Sequence, residues 1–589
     1  MDRGIELVTH LLKGPVDFAL TRPGVSLLLA TVFYYIFRGL RHLGIIPSFS
    51  TAPVDLLPFP PLSSILGGHR FELFDHDPGV FYEKWITEYG NVFKSRVSWG
   101  SERVVVADPK ALHHILTYAY DFPKPDMVRG QLISLFGEGL LFAEGSVHKR
   151  QRKVLNPVFS GASVKAIEPV FFTLAEKLVR LLERKVDAQE HELSCVMSES
   201  VVGADGKVKG EGVVMDVGKW LGAATLDAIG QAGFGREFRS LDSDRDAFVD
   251  AMNKFTSSVE APRGVTAMLG FLLIKILPPP IFNSLPFRRV REIRKMKKVL
   301  DRESTDMVTS SRRRLNDKPD DDVRDLMTTI LRANDTTDSK NKMTLDEIQG
   351  QICTFLIAGH ETSAVAITWT LYELACHKKA QDTLRAEVSN ARRQALERGE
   401  AGLTSRDVQD LPYLDAVVRE ILRLRSPVSA TIRVSGQDSI LPLSKPVTLK
   451  DGRVMSELPV PKGTWLVIPI LPMNKRKDVW GEDGHEFRPE RWLGSDVETG
   501  PGSSGDLHGA SLYSNVMSFI GGQRSCIGYR FALSEIKCFL ASLVVDLEYD
   551  LVDVPIEART NIVMRPRVKG QPEKGHQMPL RITRAKEVI

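Results

Sequence analysis

The sequence predicts a mainly α protein with a minor β region, preceded by an N-terminal membrane-anchor helix. Three observations lead there. Apolar residues recur at helical spacing through most of the middle of the chain. Strand-like runs are confined to residues 91–106, 440–470 and 561–582. An apolar run without charge, Pro23 to Phe37, stands near the start. The chain has 589 residues, 43% hydrophobic and 26% charged, which is ample for a large core and argues against disorder.

Taken in chain order, the apolar run is shorter than the roughly 20 residues that span a bilayer. Val16 to Leu20 and Leu40 to Ile46 extend it, with Arg22 and Arg38 snorkelling and Asp17 near the interface. Arg38, Arg41 and His42 favour a cytoplasmic C-terminal side. No small-x-small cleavage site follows, so residues 1–46 read as a retained anchor rather than a cleaved signal peptide. Insertion into the interface alone is the alternative. Pro47, Pro53, Pro58, Pro60 and Pro61 stiffen residues 47–69 into a hinge. The main domain is then 70–589.

Within that domain, Asn91 to Val106 alternates around Gly100-Ser101 as a β-hairpin does. Val201 to Val217, with Asp205-Gly206, reads as an inserted loop or small hairpin, and Asn316 to Asp325 as an exposed acidic stretch. Strands return between Ile440 and Ile470, with turns at Asp451-Gly452 and Lys462-Gly463. Another strand pair is expected from Asn561 to Ile582. Met343 to His377 reads as one long helix, started by a Thr344–Glu347 capping box. Ile348, Ile352, Leu356, Ile357 and Val365 give it a buried face. At its middle lies Ala358-Gly359-His360-Glu361-Thr362-Ser363. A mid-helix glycine costs roughly 1 kcal/mol relative to alanine and asks for a reason. The Thr362 hydroxyl can open the helix by bonding an upstream carbonyl.

Net charge is only +4, which gives no argument for nucleic acid. The cysteines (Cys195, Cys353, Cys376, Cys526, Cys538) are odd in number and lack C-x-x-C spacing, so neither a disulfide framework nor a zinc site follows. Reduced thiols facing the cytosol fit best. Asn334-Asp335-Thr336 matches a glycosylation acceptor and is taken as unused. Arg288 to Arg302 is strongly basic, either an exposed helix face or a membrane-surface contact.

Cys526 is the informative residue. It lies in Phe519-Ile520-Gly521-Gly522-Gln523-Arg524-Ser525-Cys526-Ile527-Gly528, just before an apolar helical stretch. Backbone N–H groups and the positive end of a helix dipole are expected to stabilise a thiolate there. The filled spacing Phe-x-x-Gly-x-Arg-x-Cys-x-Gly resembles the haem-binding loop of the cytochrome P450 family. The resemblance implies haem b with Cys526 as axial thiolate, which favours O–O cleavage. Phe519 and Gly528 belong to the same haem-binding set. By the same resemblance Glu361 and Thr362 are the acid and the alcohol that relay protons to the dioxygen being activated.

Glu420-x-x-Arg423 resembles the family's structural pair, with Arg491 of Phe487-Arg488-Pro489-Glu490-Arg491-Trp492 as third member. The haem propionates call for arginine forks. The motifs nominate Arg524, Arg433 and Arg152, with His148 where the family's helix carries Trp. Lys149, Arg150 and Lys153 form a candidate basic patch for an acidic electron donor. The implied reaction inserts one oxygen atom of O2 into an unactivated C–H bond. Electrons come from NADPH through a separate NADPH–cytochrome P450 reductase.

By family position the substrate pocket draws on Phe122 to Phe142, Ile357–Ala358 and Val428 to Ile432. These are largely apolar and include Leu132, Leu135, Phe136, Leu140 and Leu141, so a hydrophobic substrate is expected. The wording resembles fungal, basidiomycete-like microsomal members, which implies an endoplasmic reticulum membrane protein with its catalytic domain facing the cytosol and touching lipid. Terpenoid hydroxylation in secondary metabolism ranks first. Xenobiotic, aromatic or fatty-acid hydroxylation is the alternative. A non-oxidative haem-thiolate isomerase or dehydratase and a non-catalytic haem protein are the other classes.

Overall fold

The computed structural model describes residue 34 and residues 52–586, apart from 65–66, 98–99, 193–209, 243–247, 253–268, 271, 274–276, 278, 318–324, 339, 495–510, 512 and 561–562. The expected anchor therefore lies outside the described residues, as do most of 201–217 and 316–325. No single helix among the described residues is long and apolar enough to cross a membrane.

Eight helices position the site: α1 (Gly145–Leu155), α2 (Gly161–Asp187), α3 (Val217–Ala228), α4 (Arg288–Asp317), α5 (Leu345–Cys376), α6 (Lys378–Glu397), α7 (Pro412–Leu424) and α8 (Tyr529–Asp546). The strands are β1 (Val92–Val97), β2 (Ser101–Val106), β3 (Val213–Asp216), β4 (Thr431–Val434), β5 (Ser439–Thr448), β6 (Val454–Val460), β7 (Trp465–Ile468), β8 (Leu547–Leu551), β9 (Ile556–Thr560), β10 (Met564–Val568) and β11 (Pro579–Arg584). One sheet runs β1-β2-β7-β4, with only β2–β7 parallel. The others are β3-β11-β8 and the pairs β5–β6 and β9–β10.

The 91–106 hairpin forms with Val92 opposite Val106. Gly452 and Gly463 take positive φ at the two expected turns. The 561–582 expectation is corrected. Met564–Val568 pairs backwards with Ile556–Thr560, while Pro579–Arg584 pairs with β3 and β8. The first pair is a local hairpin that begins before residue 561, while the β3 partner of Pro579–Arg584 lies far earlier in the chain and leaves no local signature. The hinge also differs from a free spacer in its described part. Val54 and Leu57 are buried in the cluster beneath β5–β6, and Lys94 N–H donates to Pro58 O at 2.8 Å.

The main core forms where α5 packs against α3, α4, α7 and α8, and where α2 packs along α8. The expected capping box is present: Thr344 Oγ1 accepts from Glu347 N–H, and Glu347 accepts from Thr344 N–H at 2.9 Å. Asn334 is buried, its amide exchanging two hydrogen bonds with Met343, so it offers no glycosylation site. Along α4 the basic run forms an exposed face laced by Lys295–Glu292, Lys297–Asp301 and Arg302–Asp306.

Glu420, Arg423 and Arg491 form one buried unit. Arg423 grips Glu420 at 2.8 Å and Arg491 reaches the same carboxylate at 2.9 Å. Trp492 Nε1–H and Arg488 N–H donate to it as well, both at 2.9 Å. Arg423 also donates to the carbonyls of Asn474, Gly484 and Glu486. Burial alone would raise the Glu420 carboxyl, but Arg423 and Arg491 hold it below its ordinary value. The unit ties α7 to the segment that precedes the cysteine loop. Glu420→Ala should strip buried Arg423 of its acid and leave Arg491 with Asp483 alone, at a cost of about 3–5 kcal/mol. Denaturant unfolding of the variant against the wild type measures this.

Candidate active site

Cys526 sits between a 3₁₀ turn at Gly522–Arg524 and the start of α8, whose N-cap is Gly528. Its N–H donates to Phe519 O at 2.9 Å, closing the loop on buried Phe519. Gly522 has φ +70°, and a Cβ there would meet Leu116 O at 2.1 Å, so only glycine fits. The thiol is accessible to water yet lies deep in the protein. Burial pushes it up, against the Gly528 N–H and Arg152. The expected thiolate stabilisation by the helix start is thus present but outweighed by desolvation. A metal would shift that balance.

The loop lies beside the middle of α5. The Phe159 ring approaches Gly528 and stacks edge-on against Phe355 at 5.1 Å. Phe355, Ala358, Gly359 and Thr362 share one helix face. Most of α5 is buried, yet Ala358 is exposed and Gly359 and Thr362 are half-buried. Ala358 and Thr362 are thus left partly uncovered on that face. Thr362 Oγ1 donates to Ala358 O at 2.8 Å as expected, but the expected opening of the helix is corrected: it stays continuous, because the hydroxyl bonds the carbonyl without displacing the backbone. Gly359 has a packing reason: a Cβ would come within 3.1 Å of the Ile229 side chain.

Glu361 looks elsewhere. It pairs with Arg565 of β10 and lines a cavity of about 1020 Å³ with His360, Asp216, Lys219 and His576. Thr362 and Cys526 do not line that cavity. The structure thus does not bring the acid to the alcohol's side of α5.

The remaining nominated residues converge. Arg152 donates to Ser525 O at 2.7 Å and Ser525 Oγ at 3.1 Å, tying α1 to the cysteine loop. His148 is buried and shares a 3.0 Å hydrogen bond with Tyr120 OH. Burial, Lys124 and Arg152 push it down to about 3, so it is neutral. Arg524 pairs with Glu144 and donates to Ala143 O at 2.8 Å. Burial lowers it to about 10. Arg433 is also lowered to about 10 by burial, and its hydrogen bonds go to Thr431 Oγ1 and Ile432 O. Among the described residues it has no ion pair.

Lys124, Glu144 and Tyr120 complete the cluster. Lys124 shares Glu144 with Arg524 at 3.2 Å and is driven well below its usual range by burial, Arg433, Arg524 and Arg129. Of four basic residues gathered near Cys526, Lys124 and Arg524 share the Glu144 carboxylate, Arg152 bonds Ser525, and Arg433 has no acid among the described residues. This donor set fits the two propionates of haem, which Arg152, Arg433, Arg524 and Lys124 would hold, with Cys526 as the thiolate that would bind its iron. Lys124, between Pro123 and Pro125, and Arg565, on an alternating strand, carried no local signal of these roles. Arg150, expected in the basic patch, instead grips buried Glu347 at 2.9 Å, and Lys149 and Lys153 remain exposed. Among the described residues there is no His/Cys/Asp/Glu cluster for another metal.

Two variants test this cradle. Cys526→Ala should abolish the thiolate-type spectrum of the reduced carbon monoxide complex. Its survival would contradict the ligand assignment. Arg433→Met should stabilise the apoprotein and lower haem occupancy, because it removes a buried cation that lacks an acid. Thermal unfolding with and without haem measures both.

Residues 57–573 match the family model described as Cytochrome P450. The chain is 34% identical over 545 residues to cytochrome P450 monooxygenase 205 of Postia placenta, covering 90% of this chain and 93% of the relative. It is 32% identical to cytochrome P450 monooxygenase claQ of Ampulloclitocybe clavipes, covering 89% and 91%.

Proposed function

The chain belongs to the cytochrome P450 family and is a haem-dependent monooxygenase, and on that premise we propose that it hydroxylates a hydrophobic molecule of terpenoid type. Electrons come from NADPH through a separate reductase. The protein sits on the endoplasmic reticulum membrane through residues 1–46, with the catalytic domain in the cytosol. The observation that carries the reading is the open, hydroxyl-bearing face of α5 beside Cys526.

When bound, haem supplies dioxygen activation, placing one oxygen atom in the substrate and releasing the other as water. The chain's own residues do the rest. Cys526 supplies the thiolate. Arg152, Arg433, Arg524 and Lys124 hold and orient the anionic edge of the cofactor. Thr362 holds a proton on the open face, its hydroxyl anchored to Ala358 O and free to accept from water. Leu135, Phe136, Leu140 and Ile357 are buried, and Val428 and Ile432 half-buried, along the segments assigned to the substrate. Apolar side chains there exclude water and favour an apolar substrate. Lys149 and Lys153 support docking of an acidic reductase surface, over a smaller patch than the sequence implied.

Membranes carrying this protein and a matching reductase, given NADPH with terpenoids, fatty acids and polycyclic aromatics, should yield a terpenoid heavier by one oxygen by mass spectrometry. Oxidation of aromatics or fatty acids instead would overturn the substrate class. Thr362→Ala should keep haem but release most NADPH electrons without product. Unchanged coupling would assign the proton relay to another group.

A further inference from the structure

Tyr120 follows the short helix Pro109–Thr117 and touches both α1 and the cysteine loop. Lys149 of α1 stands over its ring, 4.4 Å from the centroid, and Arg524 of the loop at 5.0 Å. Its hydroxyl lies 3.0 Å from His148 Nδ1. The ring is half-buried, and burial raises the phenol above its ordinary value even against Arg524 and Arg152, so it keeps its proton.

Neutral His148 carries a single ring proton, on Nδ1 or on Nε2. With Nδ1–H, the imidazole would donate to the Tyr120 oxygen. The phenol proton would then have no acceptor among the described residues. Nε2 would also be left a bare acceptor, and the cations whose charge reaches the ring are occupied. Arg152 donates to Ser525, and Lys124 pairs with Glu144. With Nε2–H, Tyr120 donates to Nδ1 and the phenol proton is used. Nε2–H is then a donor without an acceptor among the described residues, on a residue only 2% exposed. A spare donor within a cluster of cations short of negative charge is answered by a carboxylate.

We propose that Tyr120 is a positioning residue for the cofactor: it donates to His148 Nδ1 and so holds the imidazole as an Nε2–H donor to a haem carboxylate. An indole, as in the family's Trp, has one N–H and needs no such help. An imidazole has two nitrogens, and Tyr120 settles which one donates. The inference rests on haem being held by this cluster and not on the substrate class. The role is one of placement, and no proton or electron is transferred.

Histidine-selective 15N NMR of the full-length protein reads the tautomer directly, in the apoprotein and in the diamagnetic ferrous carbon monoxide complex. His148 should be protonated at Nε2 in both, with that proton protected from exchange only when haem is bound. Tyr120→Phe should mix the tautomers in the apoprotein and release haem about fivefold faster to a haem-scavenging protein. In a His148→Trp background, whose indole N–H is fixed, the same Tyr120→Phe change should leave haem release unaltered. The proposal is overturned if wild-type His148 carries its proton on Nδ1, or carries two in the holoprotein. It is equally overturned if Tyr120→Phe speeds haem release alike in both backgrounds, which would mark Tyr120 as packing alone. Should a variant fail to fold, the wild-type tautomer and its exchange protection decide. Should the wild type bind haem and its dimethyl ester alike, the cluster itself does not hold the carboxylates and the donor role falls with it. An Nδ1–H tautomer, by contrast, defeats Tyr120 and leaves the cluster standing.

Discussion

The arrangement around Cys526 is governed by a shortage of negative charge. Lys124 and Arg524 share one carboxylate, Glu144, while Arg152 bonds Ser525 and Arg433 has no acid among the described residues. Burying cations without partners is unfavourable, and here it depresses Lys124, Arg433 and Arg524 alike. A dianionic group whose charge reaches this cluster relieves that cost. The cofactor, when bound, would thus contribute to the stability of the fold as well as to its chemistry.

Rigid elements hold the cluster in place. α5 supplies the open face, and its start is locked by the Thr344–Glu347 box together with Arg150 and Gln151. The Glu420–Arg423–Arg491 unit fixes the segment leading to the cysteine loop. Gly522 and the Cys526–Phe519 hydrogen bond then set the loop against Leu116 and Phe159. Each device acts on a different side of the cysteine, so its position is over-determined.

Much of this was legible because it is local. The Cys526 spacing, the Thr344 capping box, the i,i+3 pair on α7 and the 91–106 hairpin each lie within one short segment. What was not legible depends on distant partners. Arg565 meets Glu361 from a strand some 200 residues later, and nothing near either residue announces it. The β11 strand alternates visibly, yet its partners β3 and β8 lie far off along the chain. Arg150 read as an exposed base because its acid, Glu347, belongs to another helix.

The most direct test of the charge argument compares haem with its dimethyl ester, in which both propionates are neutral. Apoprotein titrated with each would be followed by thermal unfolding and by the cofactor's absorption band. The account predicts strong stabilisation and tight uptake with haem, and most of both lost with the ester. Equal uptake and equal stabilisation by the two would contradict it, because the cations beside Cys526 would then not be held by the cofactor's carboxylates.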